Sequence, residues 1–242
     1  MLDIQKALTY MTDDPRAGGK LGLGAVASLA PILNLAAIGY QVEVARRVAR
    51  GEPQPLPEWD DLKRIWVQGA WLGLALFVYS LPLLLFVLGC MASVFVGFVL
   101  ALQSDAAQTS NTLPAPPVAV IVIFILLTGL TILYSFLLGL LRPAILAEYV
   151  QRGTFKACFD FQALWRFIRF NPGEYLLLWL TEIVVGWIIS LPLIFLAFIV
   201  LVIPFVGPLL LPLIAAVAGF YLFLVSGHLV GQLLRARAPA TA

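Results

Sequence analysis

Charge is what this chain has least of. Charged residues make up 12% of its 242 positions, about half of the ~25% found in soluble domains. So few charges cannot cover a water-facing globule, and a soluble domain is excluded. The chain has one histidine and two cysteines, and these lie apart: Cys90 sits in an apolar run and Cys158 in a polar linker. That separation excludes a disulfide or a clustered metal site. No glycine-rich phosphate loop is present, and His228 has no nucleophile and orienting acid spaced around it, so neither an enzyme nor a cofactor is expected. The basic residues form no extended face, which excludes a nucleic-acid partner.

What remains is apolar. Hydrophobic residues reach 62% and the mean hydropathy is +0.99. Residues 67–102, 118–141 and 183–227 hold no charge at all, and ~20 residues suffice for a helix to cross the hydrocarbon core. Leucine-rich runs of this length satisfy their backbone only as helices, and the short alternating segments of a membrane barrel are missing. The expected fold is all-α: one polytopic membrane domain with four long helices over 67–102, 118–147, 174–203 and 208–235. A proline-broken apolar helix over 20–48 precedes them.

The connecting segments have their own character. The N-terminal stretch 1–19 carries Asp3, Asp13 and Asp14 and has no apolar core, so it does not read as a signal peptide. Ile4, Ala7, Leu8 and Met11 share one helical face, which suits a helix lying flat on the membrane. Asp14 and Pro15 are expected to restart the chain as N-cap and first helical residue. Arg46, Arg47 and Arg50 end the first apolar helix before Gly51, which is free to take a left-handed cap. In the linker 49–66, three prolines among residues 52–57 forbid a helix. Pro57 is then expected to open the next helix, with Trp59 as an anchor at headgroup depth. Pro82 is the expected bend in 67–102. Residues 103–117 read as a polar loop, residues 204–208 as a tight hairpin, and Asn171 as the cap of the helix that follows it.

The fifteen Lys and Arg residues fall in the N-terminal segment, the two linkers, the C-terminus, or within about two turns of these. By the positive-inside rule the linkers and C-terminus face the cytoplasm, and the two cation-free loops face out. A conflict follows at 20–48. About 28 residues cannot make two crossings of ~20 each, yet cations stand at both ends. A re-entrant hairpin folding at Pro31 and Asn34 resolves it, and a single crossing with the N-terminus outside is the alternative. Asn34 is expected to satisfy backbone groups freed by the break.

The chain also resembles itself. Arg50, Gly51, Trp59 and Leu62 match Arg152, Gly153, Phe161 and Leu164 at one offset, and Ser80-Leu81-Pro82 matches Ser190-Leu191-Pro192 at a larger one. Two helices separate the linkers, so the repeats share orientation. In the linker 148–173, Trp165, Arg166 and Arg169 interleave rings with guanidinium groups, as in a helix lying at the lipid interface or against a protein partner.

Ionisable residues inside apolar helices are candidates for function. Counting at 1.5 Å per residue, Arg142, Glu182 and His228 come to one depth, ~10 Å inside the cytoplasmic ends of their helices. They are expected to form a polar cluster. Small residues at four-residue spacing, Gly69/Gly73, Gly89/Ser93/Gly97 and Gly227/Gly231, permit close helix approach within the chain or across a homo-oligomer.

Several motifs together carry a resemblance: "DDP" at 13–15, "PILN" at 31–34 with "GY" at 39–40, "RGE" at 50–52, "LPEWDD" at 56–61, "FDF" at 159–161, "NPGEY" at 171–175 and "GHLVGQ" at 227–232. With these the chain resembles domain-of-unknown-function family 4013, multi-pass membrane proteins of prokaryotes. The resemblance spans nearly the whole chain and implies a plasma (inner) membrane location and this order of elements. It supplies no activity. The expected function is that of a membrane-organising or partner-binding component, with transport of a small solute as the alternative.

Overall fold

A computed structural model describes residues 2–103, 117–201 and 206–237. Every regular element among them is helical, and no strand occurs. Eight α-helices are described: α1 (Ile4–Thr9), α2 (Ala17–Leu29), α3 (Pro31–Arg50), α4 (Leu62–Leu102), α5 (Val118–Arg152), α6 (Phe161–Phe170), α7 (Pro172–Leu201) and α8 (Val206–Arg237). Short 3-10 turns at Tyr10–Asp13 and Phe155–Phe159 complete the set. Four helices are long and apolar enough to cross a membrane: α4, α5, Pro172–Val200 within α7 and Leu210–Arg237 within α8. The all-α polytopic membrane fold expected from composition is what the chain adopts. The expected loop 103–117 falls largely on residues outside those described; of the expected hairpin 204–208, residues 204 and 205 lie outside them and residues 206–208 belong to α8.

The described chain forms two compact units, Met1–Ala75 with Leu141–Ala242, and Leu76–Leu140. The second unit pairs parts of α4 and α5 in antiparallel fashion. Tyr134 donates its hydroxyl to the Tyr79 carbonyl at 2.7 Å, and Cys90 lies 3.8 Å from the Thr128 hydroxyl. A Cβ on Gly89 would meet Leu127 at 3.1 Å. Along this stretch the sequence number rises on one helix as it falls on the other.

In the first unit, α3 packs most extensively on α8, with α2 against both. The segment expected as one broken helix is two, and they fold back on each other. Trp59, just beyond α3, donates its indole N–H to the Lys20 carbonyl at 3.2 Å. Tyr40 and a Cβ position on Gly24 meet the same ring, that of Phe220. Lys20 and Gly24 of α2 therefore lie near Tyr40, in the middle of α3, and Trp59 of the following linker. The break falls at Ala30, whose extended backbone (φ −112°, ψ 135°) is what a residue before proline prefers. Pro31 is then the first residue of α3 rather than the middle of a break. Asn34 does not cap the break with its side chain: its backbone N–H donates to the Ala30 carbonyl at 2.7 Å, and its Oδ1 is buried without a partner. The Ile32 carbonyl, in the first turn of α3, accepts from the Trp66 indole at 2.9 Å.

Other helix starts also differ from expectation. Asp14 is not a helix cap. Its Oδ1 accepts from the Arg16 N–H at 2.8 Å, its Oδ2 is taken by Lys20, and α2 begins at Ala17. Pro57 does not open α4. The chain stays irregular to Asp61, whose carboxylate accepts from the Arg64 N–H at 3.1 Å, so the cap lies four residues later. The N-terminal stripe also faces protein. Ala7, Tyr10 and Met11 are buried, Tyr10 donates to the Leu224 carbonyl at 3.3 Å, and Tyr221 of α8 donates to the Leu8 carbonyl at 3.2 Å. An amphipathic face with α8 beside it docks there, which removes its apolar surface as effectively as lipid would.

Candidate functional site

Three groups of polar residues stand out in the first unit. The innermost is a cavity of about 190 Å³ lined by Arg142 of α5, Glu182 of α7, and Gly219, Phe223 and Ser226 of α8. Arg142 and Glu182 share it, as their common depth suggests, but they make no direct ion pair. The guanidinium carbon lies 5.4 Å from the centroid of the Phe223 ring. Glu182 Oε1 is buried without a hydrogen-bond partner, while the Ser226 side chain hydrogen-bonds the carboxylate and Arg142 acts on it through space. Two opposite charges thus face one small space without touching.

His228 is not part of this cavity. It stacks on Tyr10 with ring centroids 4.3 Å apart, and its Nδ1 lies 3.0 Å from the Gln232 side-chain nitrogen. The reason is helical phase. Ser226 and His228 are two residues apart on α8, and such positions point to opposite sides of a helix. Depth alone put the three residues together, and azimuth separates one of them. His228 lines instead a larger polar cavity of about 560 Å³, with Asp3, Lys6, Tyr10, Gln232 and Arg235 among its walls. Gln232 closes one end by exchanging hydrogen bonds with the Asp3 backbone, accepting at 2.7 Å and donating at 3.0 Å.

The third group consists of ion clusters that sequence inspection passed over. Glu43, with a side chain 4% exposed, lies within 2.7 Å of Arg46, 3.7 Å of Arg47, 3.9 Å of Arg50 and 3.8 Å of Arg64. Glu148, 3% exposed, bridges Arg152 at 3.2 Å and Arg237 at 3.6 Å. Lys20 Nζ is nearly buried and takes Asp14 at 2.6 Å, Glu58 at 2.9 Å and the Leu56 carbonyl at 3.2 Å. The hydrogen bond from Lys20 holds the Asp14 carboxyl below the usual carboxylate range, against the opposing effect of burial. The spacings Glu43–Arg46–Arg47 and Glu148–Arg152 were the readable signal, since residues three and four apart share a helix face. The partners from distant elements, Arg64 and Arg237, left none.

Trp59 is a pin within the protein as well as a rim residue. It stacks on Tyr40 at 4.5 Å and borders an apolar groove of about 670 Å³ that runs past Leu23, Val26, Leu62 and Trp66 to Lys63. On α6, Asp160 caps the helix by accepting from the Ala163 N–H at 3.0 Å. Hydrogen bonding from Arg152 holds that carboxyl low. Ala163, Leu164 and Phe167 face inward, with Phe167 edge-on to Tyr175 at 6.0 Å. Trp165, Arg166 and Arg169 remain exposed, and the Arg169 guanidinium lies 4.6 Å from the Trp165 ring centroid. Cys158, buried beside this helix, has its thiol pushed up to about 11 by burial, which disfavours the thiolate form.

The self-resemblance of the two linkers has a conformational counterpart. Gly51 and Gly153 close α3 and α5 with φ of +76° and +64°. Each follows an arginine that pairs with a carboxylate, Arg50 with Glu52 and Arg152 with Glu148. The larger offset between the two Ser-Leu-Pro motifs arises after Leu164, in the stretch where α6 ends at Phe170 and α7 begins at Pro172, while α4 runs on from Leu62 as one helix.

No curated protein and no solved structure matches the chain. A family described as "Protein of unknown function (DUF4013)" matches residues 23–198, from the hairpin α2–α3 through most of α7. Four long apolar helices mark a multi-pass membrane protein, and the chain belongs to this family of proteins of unknown function.

Proposed function

We propose that this protein works without catalysis, as a membrane-organising component of the plasma membrane that engages the cytoplasmic leaflet, or a partner seated there, through α6. The observation that carries this reading is the two-sidedness of α6. Its inner face is docked through Phe167 and Leu164, while Phe161, Trp165 and Phe170 stand 62%, 53% and 58% exposed beside Arg166 and Arg169. Rings and guanidinium groups on one exposed face suit the headgroup layer, where each basic residue contributes about 1 kcal/mol of attraction to anionic lipid. The linkers and C-terminus are on the cytoplasmic side in this reading, in keeping with the placement of the cations.

Two measurements test it. A fluorophore on a single cysteine replacing Trp165, in a background lacking Cys90 and Cys158, should be quenched by headgroup-labelled anionic lipid in nanodiscs. Charge reversal at Arg166 and Arg169 should weaken that quenching. An unquenched probe sinks the lipid role of α6. For orientation, a membrane-impermeant thiol reagent applied to intact cells should label a cysteine placed at Gln103 and spare one at Glu52, and the opposite pattern inverts the assignment.

Transport of a small solute is the second reading, supported by the Arg142–Glu182 cavity, since charged groups facing a void within spans are common at solute sites. Solute-dependent flux into proteoliposomes that is lost on Glu182→Gln would favour it over the first.

A further inference from the structure

We infer that the cavity between α5, α7 and α8 is a binding site for a small zwitterion, a primary ammonium joined by a short linker to an oxyanion, with Glu182 taking the ammonium and Arg142 the oxyanion. This goes beyond the role of α6 and does not depend on it.

The argument starts from what the two charges do not do. Inside a span, an unpaired guanidinium and an unpaired carboxylate each cost free energy, and direct pairing is the simplest relief. Arg142 and Glu182 line the same cavity, and no ion pair joins them there. Arg142 lies over the Phe223 ring, and Glu182 keeps a buried oxygen with no donor. A buried acceptor without a donor is rare in a folded protein and calls for a partner from outside the chain.

Size and polarity restrict that partner. About 190 Å³ corresponds to roughly six waters at ~30 Å³ each, enough for a headgroup or a small amino acid. The walls offer donors on one side, from the guanidinium, and acceptors on the other, from Glu182 with the Ser226 hydroxyl beside it. An anion would satisfy Arg142 and repel Glu182, and a simple cation would do the reverse. A molecule carrying both charges satisfies both. Gly219 contributes room, because a Cβ there would meet nothing within 4 Å. The rim residues Val185, Leu222 and Phe223 are half-exposed and apolar, while Arg142 is exposed.

Two sources share this chemistry: the ethanolamine headgroup of a phospholipid, and a free amino acid such as glycine. The test uses the full chain in nanodiscs holding equal parts phosphatidylethanolamine, phosphatidylcholine and phosphatidylglycerol, with retained lipid read by native mass spectrometry. A parallel series in phosphatidylglycerol alone measures thermal stabilisation by added glycine or phosphoethanolamine. Selective retention of phosphatidylethanolamine, reduced about tenfold by Glu182→Gln and by Gly219→Val, establishes the headgroup. Stabilisation by glycine or phosphoethanolamine that both variants abolish, with no lipid retained, establishes a free solute. Gly219→Val leaves both charges in place and only fills the space, so it stands in should Glu182→Gln fail to fold. Retention of phosphatidylglycerol equal to that of phosphatidylethanolamine overturns the inference. So does wild-type behaviour in both variants, or no ligand in either series.

Discussion

Gly39 and Gly69 meet back to back where α3 crosses the start of α4. A Cβ on Gly39 would run into the Ile65 carbonyl oxygen, and one on Gly69 into the Leu35 carbonyl oxygen. The obstacle in both cases is backbone, which cannot rotate away as a side chain can. Alanine at either position must therefore push the helices apart, at a cost of about 1–3 kcal/mol. Because both substitutions widen the same crossing, Gly39→Ala and Gly69→Ala together should cost less than the sum of the two. Thermal unfolding of the detergent-purified chain checks this, with Gly186→Ala as the control, since nothing lies within 4 Å of its added Cβ.

Gly227 and Gly231 behave in the same way, facing the Gln41 and Ala45 carbonyl oxygens of α3. These two small-residue pairs are thus used within the chain.

Lys20 and Asp14 form a pair whose side chains are 7% and 6% exposed. Removing one member of a buried pair strands the other, so Lys20→Met should destabilise by about 3–5 kcal/mol. The pH dependence has a definite sign. The Asp14 carboxyl is held low in the folded state, against about 3.9 when unfolded. Its contribution is therefore complete above roughly pH 4 and is lost as pH falls through the folded value. In Asp14→Asn the stability deficit should be full at neutral pH and shrink on acidification, and a deficit that stays constant would contradict the pair.

Glu43 gathers four arginines around a nearly buried carboxylate. Glu43→Gln keeps the shape and removes the charge, leaving those cations to repel one another. Because Arg50 and Arg64 are about half exposed, water screens part of the effect. We expect a loss of about 2–3 kcal/mol, smaller in high salt, measured as the unfolding midpoint at two ionic strengths.

Gly153 stands at φ +64° with open space around it. Its cost on substitution is conformational alone, so Gly153→Ala should lose about 1 kcal/mol and Gly153→Asn less, because Asn tolerates the left-handed region. Gly51→Ala should lose more, since its Cβ would also approach the Arg235 guanidinium at 3.2 Å. The ranking is readable from three unfolding curves.

Local chemistry made much of the fold legible. Long uncharged runs announced the four spans. Asn171 before Pro172 announced the start of α7, where its side chain accepts from the Glu174 N–H at 3.5 Å, and Gly51 announced a left-handed cap. What stayed hidden was whatever depends on azimuth or on partners distant in sequence. Depth along a helix can be counted, so Arg142 and Glu182 were found together. The side of α8 on which His228 emerges depends on what packs around that helix, and Tyr10 from the N-terminal turn holds it there. Trp66 reaching back to Ile32 is likewise a meeting of elements 34 positions apart.

The α2–α3 hairpin folds back on itself, and Trp59 of the linker that follows it is hydrogen-bonded to the Lys20 carbonyl of α2. Its first arm, Ala17–Leu29, has 13 residues and so extends only ~20 Å, short of the ~30 Å of hydrocarbon. An arm of that length entering a bilayer from one face would stop within the hydrocarbon and take up area mainly in that leaflet. Lipids opposite such an arm would meet no matching insertion, so a hairpin seated in that way would favour a curved sheet of membrane over a flat one.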